Sequence, residues 1–155
     1  MFVEFGPVKH RHKALLFVVL TPFLLTGCTS DEGPTAAEAG RTLRNHVLQL
    51  LKERDALNVK IVDVGGRNLP CGDGRVKQTF AATGTDVDGE TSPYVLRTAM
   101  IGALGRVGHY KIVGSPEANK AVRVTDSSSK TVLLIDSPAD GKYSIAGETE
   151  CLRIS

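Results

Sequence analysis

Residues 110–146, YKIVGSPEANKAVRVTDSSSKTVLLIDSPADGKYSIA, hold four short runs of strand-forming residues, with no helical pattern between them. The runs are 110–113, 121–125, 130–136 and 143–146. Gly114, Ser115 and Pro116 break the first pair, residues 126–129 supply a serine-rich hairpin connection, and residues 137–141 supply another. Parallel neighbours need a crossover of a dozen or more residues, so strands joined this tightly form an antiparallel meander. Val132, Leu133, Leu134 and Ile135 are the most continuous apolar run, which places that strand inside the sheet.

Immediately upstream, Ser92 before Pro93 marks a helix start, because Ser accepts a first-turn N–H and Pro fits the first helical position. Leu96, Ala99, Met100, Ala103 and Leu104 then form a buried stripe. Gly105 is expected to close the helix in the left-handed conformation. Tyr94, Arg97 and Arg106 read as a solvated polar edge.

Earlier still, residues 75–83 alternate, with Val76, Gln78, Phe80 and Ala82 on one side of a strand. Residues 59–64 are β-branched and end at Gly65 and Gly66, giving another strand. The loop between them, GGRNLPCGDG, is glycine-rich but lacks the Gly-Lys-Ser/Thr end and following helix of a phosphate-binding P-loop. Thr35 with Glu38 matches a capping box, and Leu43, Val47, Leu50 and Leu51, extending to Leu57, make one apolar stripe beyond it. The order is therefore α-β-β-α-β-β-β-β. It predicts an α+β sandwich in which two helices pack on one face of an antiparallel sheet and a second face of mixed polarity stays open. The pattern leaves the strand order undetermined and disfavours a doubly wound parallel sheet.

Residues 1–27 have the three parts of an export signal: a basic stretch with Lys9, Arg11 and Lys13, the apolar run 14–25, and small residues after it. Twelve residues are too few to span about 30 Å of hydrocarbon, which takes roughly 20. Leu25, Thr26, Gly27 and Cys28 form a lipobox, the pattern on which a bacterium attaches diacylglycerol to the cysteine thiol and cuts before it. The expected organisation is thus a signal peptide at 1–27, a lipidated tether at 28–34 and one domain at 35–155. Two acyl chains, palmitate-bearing, hold a protein stably where one does not. The expected location is the outer face of the cytoplasmic membrane.

Removing that leader takes away three of the 19 basic and one of the 17 acidic residues, leaving a mature chain of sixteen each. A neutral domain without a basic run carries no counterion-release footprint for nucleic acid, so none is expected as a partner. There is no tryptophan, and Phe80, Tyr94, Tyr110 and Tyr143 are the only aromatics past residue 28, which disfavours stacking platforms for sugars or bases.

With Cys28 lipidated, Cys71 and Cys151 are the remaining thiols, and an exported location permits their oxidation. Neither has a CxxC partner or a His at ligand spacing, so a structural disulfide is expected between them. Candidates for chemistry are sparse. Asp86, Asp88 and Glu90 in TDVDGE offer alternate carboxylates but lack the further ligands and terminal Glu of an EF-hand. His46 and His109 are the only imidazoles past residue 28, and no G-x-S-x-G elbow accompanies them. His46 reads as a solvent-facing helix residue and His109 as a sheet-edge residue. Asp136 and Asp140 are too close to a turn to be read as an acid pair. No catalytic residue, metal site or cofactor is expected.

The lipobox, the short mature domain, the paired cysteines and the final Glu150-Cys151-Leu152-Arg153 resemble the layout of small cell-envelope lipoproteins of high-GC Gram-positive bacteria. The resemblance implies a domain displayed outside the cytoplasmic membrane and carries over one functional residue, Cys28. The expected function is a non-enzymatic binding or interaction module that contacts a small ligand, an envelope polymer or an envelope protein. The alternative is an envelope hydrolase whose site assembles only in three dimensions. A concave pocket joining His46 or His109 to acids favours the enzyme, and an open sheet face favours binding.

Overall fold

The helix that opens the domain, α1 (Ala36–Lys52), forms because Thr35 and Glu38 satisfy each other's backbone donors: Thr35 Oγ1 accepts from the Glu38 amide at 3.2 Å, and Glu38 accepts from the Thr35 amide at 2.8 Å. A computed structural model of the chain describes residues 33–154. The expected signal peptide, Cys28 and most of the tether lie outside the described residues.

After α1 come β1 (Leu57–Asp63), β2 (Leu69–Pro70), β3 (Val76–Lys77), β4 (Thr79–Thr85), α2 (Pro93–Ala103), a 3-10 turn at Leu104–Arg106, β5 (Lys111–Ile112), β6 (Val122–Asp126), β7 (Thr131–Asp136) and β8 (Lys142–Thr149). Six strands make one antiparallel sheet in the order β1-β4-β8-β7-β6-β5. The two helices pack with this sheet, as the α+β pattern requires. Leu43, Val47, Leu50 and Leu51 of α1 and Leu96, Met100 and Ala103 of α2 meet Phe80, Ala82, Val124, Leu133, Ile135, Tyr143 and Ile145 from the sheet. The described residues 33–154 form one compact unit around this core, the property of a segment that folds alone.

Close approach of α1 depends on Gly147 in β8. A Cβ there would stand 2.8 Å from a Leu133 methyl and 2.9 Å from the Val132 carbonyl, leaving no room for the Leu43 side chain above it.

Several local expectations need correction. The strand expected at 75–83 is broken at Gln78, whose amide bonds the Thr149 hydroxyl at 3.0 Å, so β3 leaves the main sheet and pairs with β2. Gly105 sits in the 3-10 turn and not in a left-handed cap. Ser92 caps α2 in position only, since its side chain makes no cap hydrogen bond. Arg97 is 5% exposed and not solvated. Leu57 belongs to β1 and is exposed. The β-branched edge strand β1 is exposed along its length because α1 lies over β4, β8 and β7 and does not reach it. Two register shifts and the left-handed Asn58 irregularise that edge, which blunts it against pairing with other chains.

The two caps separate cleanly in a test. Thr35→Ala is expected to lose about 1 kcal/mol, the usual value of a bonded cap, while Ser92→Ala loses only a few tenths. Urea midpoints of the two variants check this, and equal losses would refute it.

Cys71 and Cys151 are joined as a disulfide, with Cα atoms 6.0 Å apart. The bond fastens the β2–β3 hairpin to the C-terminal segment, where Val76 and Leu152 exchange both backbone hydrogen bonds at 2.9 Å. Beyond it the Arg153 carbonyl accepts from the Ala36 amide at 2.9 Å, and Arg153 Nη2 donates to the Gly33 carbonyl at 3.3 Å. Both ends of the described chain therefore meet at the first turn of α1.

Candidate functional site

No described element covers the sheet face opposite the helices. Period-two alternation in β4, β8 and β7 sends Phe80, Ala82, Ile145, Leu133 and Ile135 inward and leaves Thr79, Ala81, Thr83, Ser144, Ala146, Val132 and Leu134 on the other side. One cross-strand row runs Asp63, Ala81, Ala146, Leu134, Arg123 from β1 to β6. Small residues in the middle of this row and larger ones at its ends make a shallow groove of about 350 Å³, bordered also by Thr79, Val132 and Glu148. A second depression of about 450 Å³ lies at Lys60, Thr83, Thr85, Lys142 and Pro138.

The groove has an apolar floor and charged rims. Leu134 is 44% exposed on that floor. Glu148 takes Lys77 Nζ at 2.7 Å and Arg123 Nη2 at 3.7 Å. Asp63 accepts from the Thr79 hydroxyl and the Gly65 amide, and these bonds hold its carboxyl below the usual range. The expected continuous run at 132–135 does lie in an interior strand, but only its Leu133 and Ile135 are covered. Val132 and Leu134 serve the open side.

The imidazoles lie elsewhere. His46 is half-buried and does not face solvent as expected: its Nδ1 is 2.9 Å from the Tyr110 hydroxyl, which is itself 2.8 Å from Thr131 Oγ1. Thr131 continues to the Ser129 hydroxyl at 2.8 Å. Burial pushes the Tyr110 phenol up to about 12 and pushes His46 down, the latter against the attraction of Asp126. Asp126 is 2% exposed. Burial raises its carboxyl, yet the Ser128 hydroxyl and amide, the His109 amide and Ser129 outweigh it and hold the group at about 2. His109 is exposed and contributes its backbone alone to this cluster. The arrangement is a polar clasp between α1, β5 and the β6–β7 turn. His46 is bonded to a phenol and not to a serine or cysteine nucleophile.

This clasp makes stability acid-sensitive in two steps. As pH falls through about 6.5, the unfolded chain protonates His46 while the folded chain resists, so stability declines. Below about pH 4 the unfolded Asp126 takes a proton that the folded carboxylate refuses until about 2, removing a further ~2 kcal/mol. His46→Gln is expected to flatten the pH 7 to 5 part of the stability curve and Asp126→Asn the pH 4 to 2 part. Denaturation midpoints against pH measure both, and unchanged slopes would refute them.

The remaining candidates are structural. Asp86 accepts from Thr91 Oγ1 and from the hydroxyl of fully buried Tyr143 at 2.9 Å, while Asp88 and Glu90 are exposed. Among the described residues no group of three or more His, Cys, Asp or Glu could hold a metal ion. Asp136 is spent on Arg97 and on the Ser137 amide, and Asp140 sits in an exposed turn. Sequence reasoning missed Arg97 and the His46–Tyr110 contact, whose partners lie far along the chain. Comparison with known proteins finds no match: no family model, no curated protein and no solved structure.

Proposed function

We propose that the chain is a membrane-anchored extracytoplasmic lipoprotein, acylated on Cys28, whose domain acts as a non-enzymatic binding module through the open sheet face. The observation that carries the binding role is the groove between Asp63 and Arg123, where Leu134 and two alanines offer an apolar floor within charged rims. Such a surface gives contact area with polar groups at the border to orient a ligand or partner, as binding patches do. The anchor rests on the lipobox and on the short run of apolar residues before it.

Two measurements test the two halves of this proposal. Labelled palmitate is expected in the wild-type chain and absent from Cys28→Ala, with the wild type in the membrane fraction; label in both would overturn acylation at Cys28. Leu134→Arg places a charge in the groove at an exposed position and is expected to abolish capture of envelope components, with the thermal midpoint preserved. Undiminished capture by this variant would remove the open face from the function.

A further inference from the structure

A third concave site lies between α1 and the loop that follows β1. It is a pocket of about 120 Å³ lined by Gly40, Arg41, Arg44, Gly65, Gly66 and Gln78 together with Val64, Thr79 and Phe80. That is roughly four times the volume of one liquid water, too small for a drug-sized ligand and right for a single compact group.

Two arginines and no acid line it. Arg41 and Arg44 stand three apart on α1, a spacing that brings side chains to one face about 5–6 Å apart at Cβ. Among the described residues neither has an ion-pair partner within 4 Å. Two acids lie close by: Glu38, whose Oε2 takes Thr35 and whose charge Arg41 feels, and Asp63, which takes the Thr79 hydroxyl and the Gly65 amide. Arg67, on the same loop, sets its charge against Asp63. The Arg44 guanidinium carbon lies 5.5 Å from the centre of the Phe80 ring, which fixes the direction of that side chain.

The opposite wall is backbone. Gly65 and Gly66 are both left-handed, with φ of 68° and 76°, and at Gly66 nothing lies within 4 Å of where a side chain would stand. The Gly65 amide is given to Asp63, so the open part of this wall is Gly66, and two guanidinium groups lining the same pocket match a tetrahedral oxyanion, which guanidinium binds bidentately. Without an anion, two like charges one turn apart are mutually unfavourable.

We infer that Arg41 and Arg44, beside the open turn at Gly66, form a binding site for a phosphate group. Its position favours a lipid headgroup as the source. At 1.5 Å per residue the two arginines lie about 9 to 14 Å along α1 from Thr35, and a tether of six residues reaches about 20 Å. A bilayer holding acyl chains on Cys28 thus brings headgroup phosphates within range of the pocket. The choice of a lipid source rests on the lipoprotein proposal above; the phosphate chemistry does not.

The test uses residues 29–155, which contain the whole compact unit and no acyl group. Inorganic phosphate and glycerol 3-phosphate are titrated at constant ionic strength while amide and guanidinium resonances are followed. Saturable shifts at Arg41, Arg44 and Gly66 are expected at millimolar concentrations, at least 10-fold weaker in Arg41→Gln/Arg44→Gln and unchanged in the equally charged control Lys111→Gln/Lys120→Gln. Absence of saturation, or equal loss in the control, overturns the site whatever the fate of Cys28. Phosphatidylglycerol vesicles form the second arm: sedimentation with them, reduced at least 5-fold by the double arginine variant, supports the lipid source. Phosphate shifts without vesicle binding overturn that source and assign the pocket to a soluble phosphate ester.

Discussion

Replacing Cys71 and Cys151 together by serine is expected to lower the unfolding free energy by about 4 kcal/mol, because the bond removes loop-closure entropy from the unfolded chain. The two cysteines are 80 residues apart, so the loop is long and the entropic gain large. The thermal midpoint should fall by on the order of 15 °C. A local consequence follows from what the bond fastens. The C-terminal segment holds Val76 through Leu152 and holds the first turn of α1 through the Arg153 carbonyl. In the serine variant, amide exchange at Ala36, Val76 and Leu152 should accelerate more than in the β7–β8 ladder. Unchanged unfolding of the double variant under non-reducing conditions would contradict the disulfide's role.

Arg97→Ala is expected to cost about 3 kcal/mol, a value typical of removing one member of a buried charged cluster. Arg97 extends from α2 to three acceptors: the Asp136 carboxylate at 3.6 Å, the Ser137 carbonyl at 3.4 Å and the Ala118 carbonyl. It thereby fixes the β5–β6 and β7–β8 connections to the helix. Truncation leaves the Ser137 carbonyl without its donor in a buried place and removes the packed methylene stem. Arg97→Met restores the stem but not the donors, so it should recover less than half of the loss. Asp136→Asn should be milder, since that side chain is 38% exposed. Urea denaturation ranks the three, and a loss below about 0.5 kcal/mol in Arg97→Ala would place Arg97 among ordinary surface residues.

Arg97 also marks where sequence reasoning stops. Its spacing to Met100 and Leu104 put it on the edge of the apolar stripe, but charge argued for solvent. The acceptors that reverse this are two backbone carbonyls and a carboxylate, 21 to 40 residues away. His46 and Tyr110 are separated by 64 residues and are equally invisible to local pattern. By contrast, the capping box at Thr35, the alternation through Phe80 and Ala82, and the stripe from Leu43 to Leu51 are local features, and each appears in its expected place. The disulfide was legible by elimination, once the lipobox reading assigned Cys28 another use. The β-branched run of β1 misled in the other direction: strand propensity predicts pairing, but burial depends on how far the helix layer extends. Neither pocket left a motif. The open groove arises from small residues meeting across three strands, and the arginine pocket from a helix turn meeting a glycine pair some 20 residues later.

The meeting of the chain's two ends at the first turn of α1 has a mechanical meaning. A pull on a membrane anchor would enter the domain through Gly33 and Pro34, beside the Arg153 contact, and would reach the disulfide-clamped C-terminal segment before it reached the sheet. Load would be shared between the first turn of α1 and a covalently locked hairpin. The C-terminal segment continues directly from β8, so load that passes the lock would enter the sheet along that one strand, which carries part of the proposed binding face.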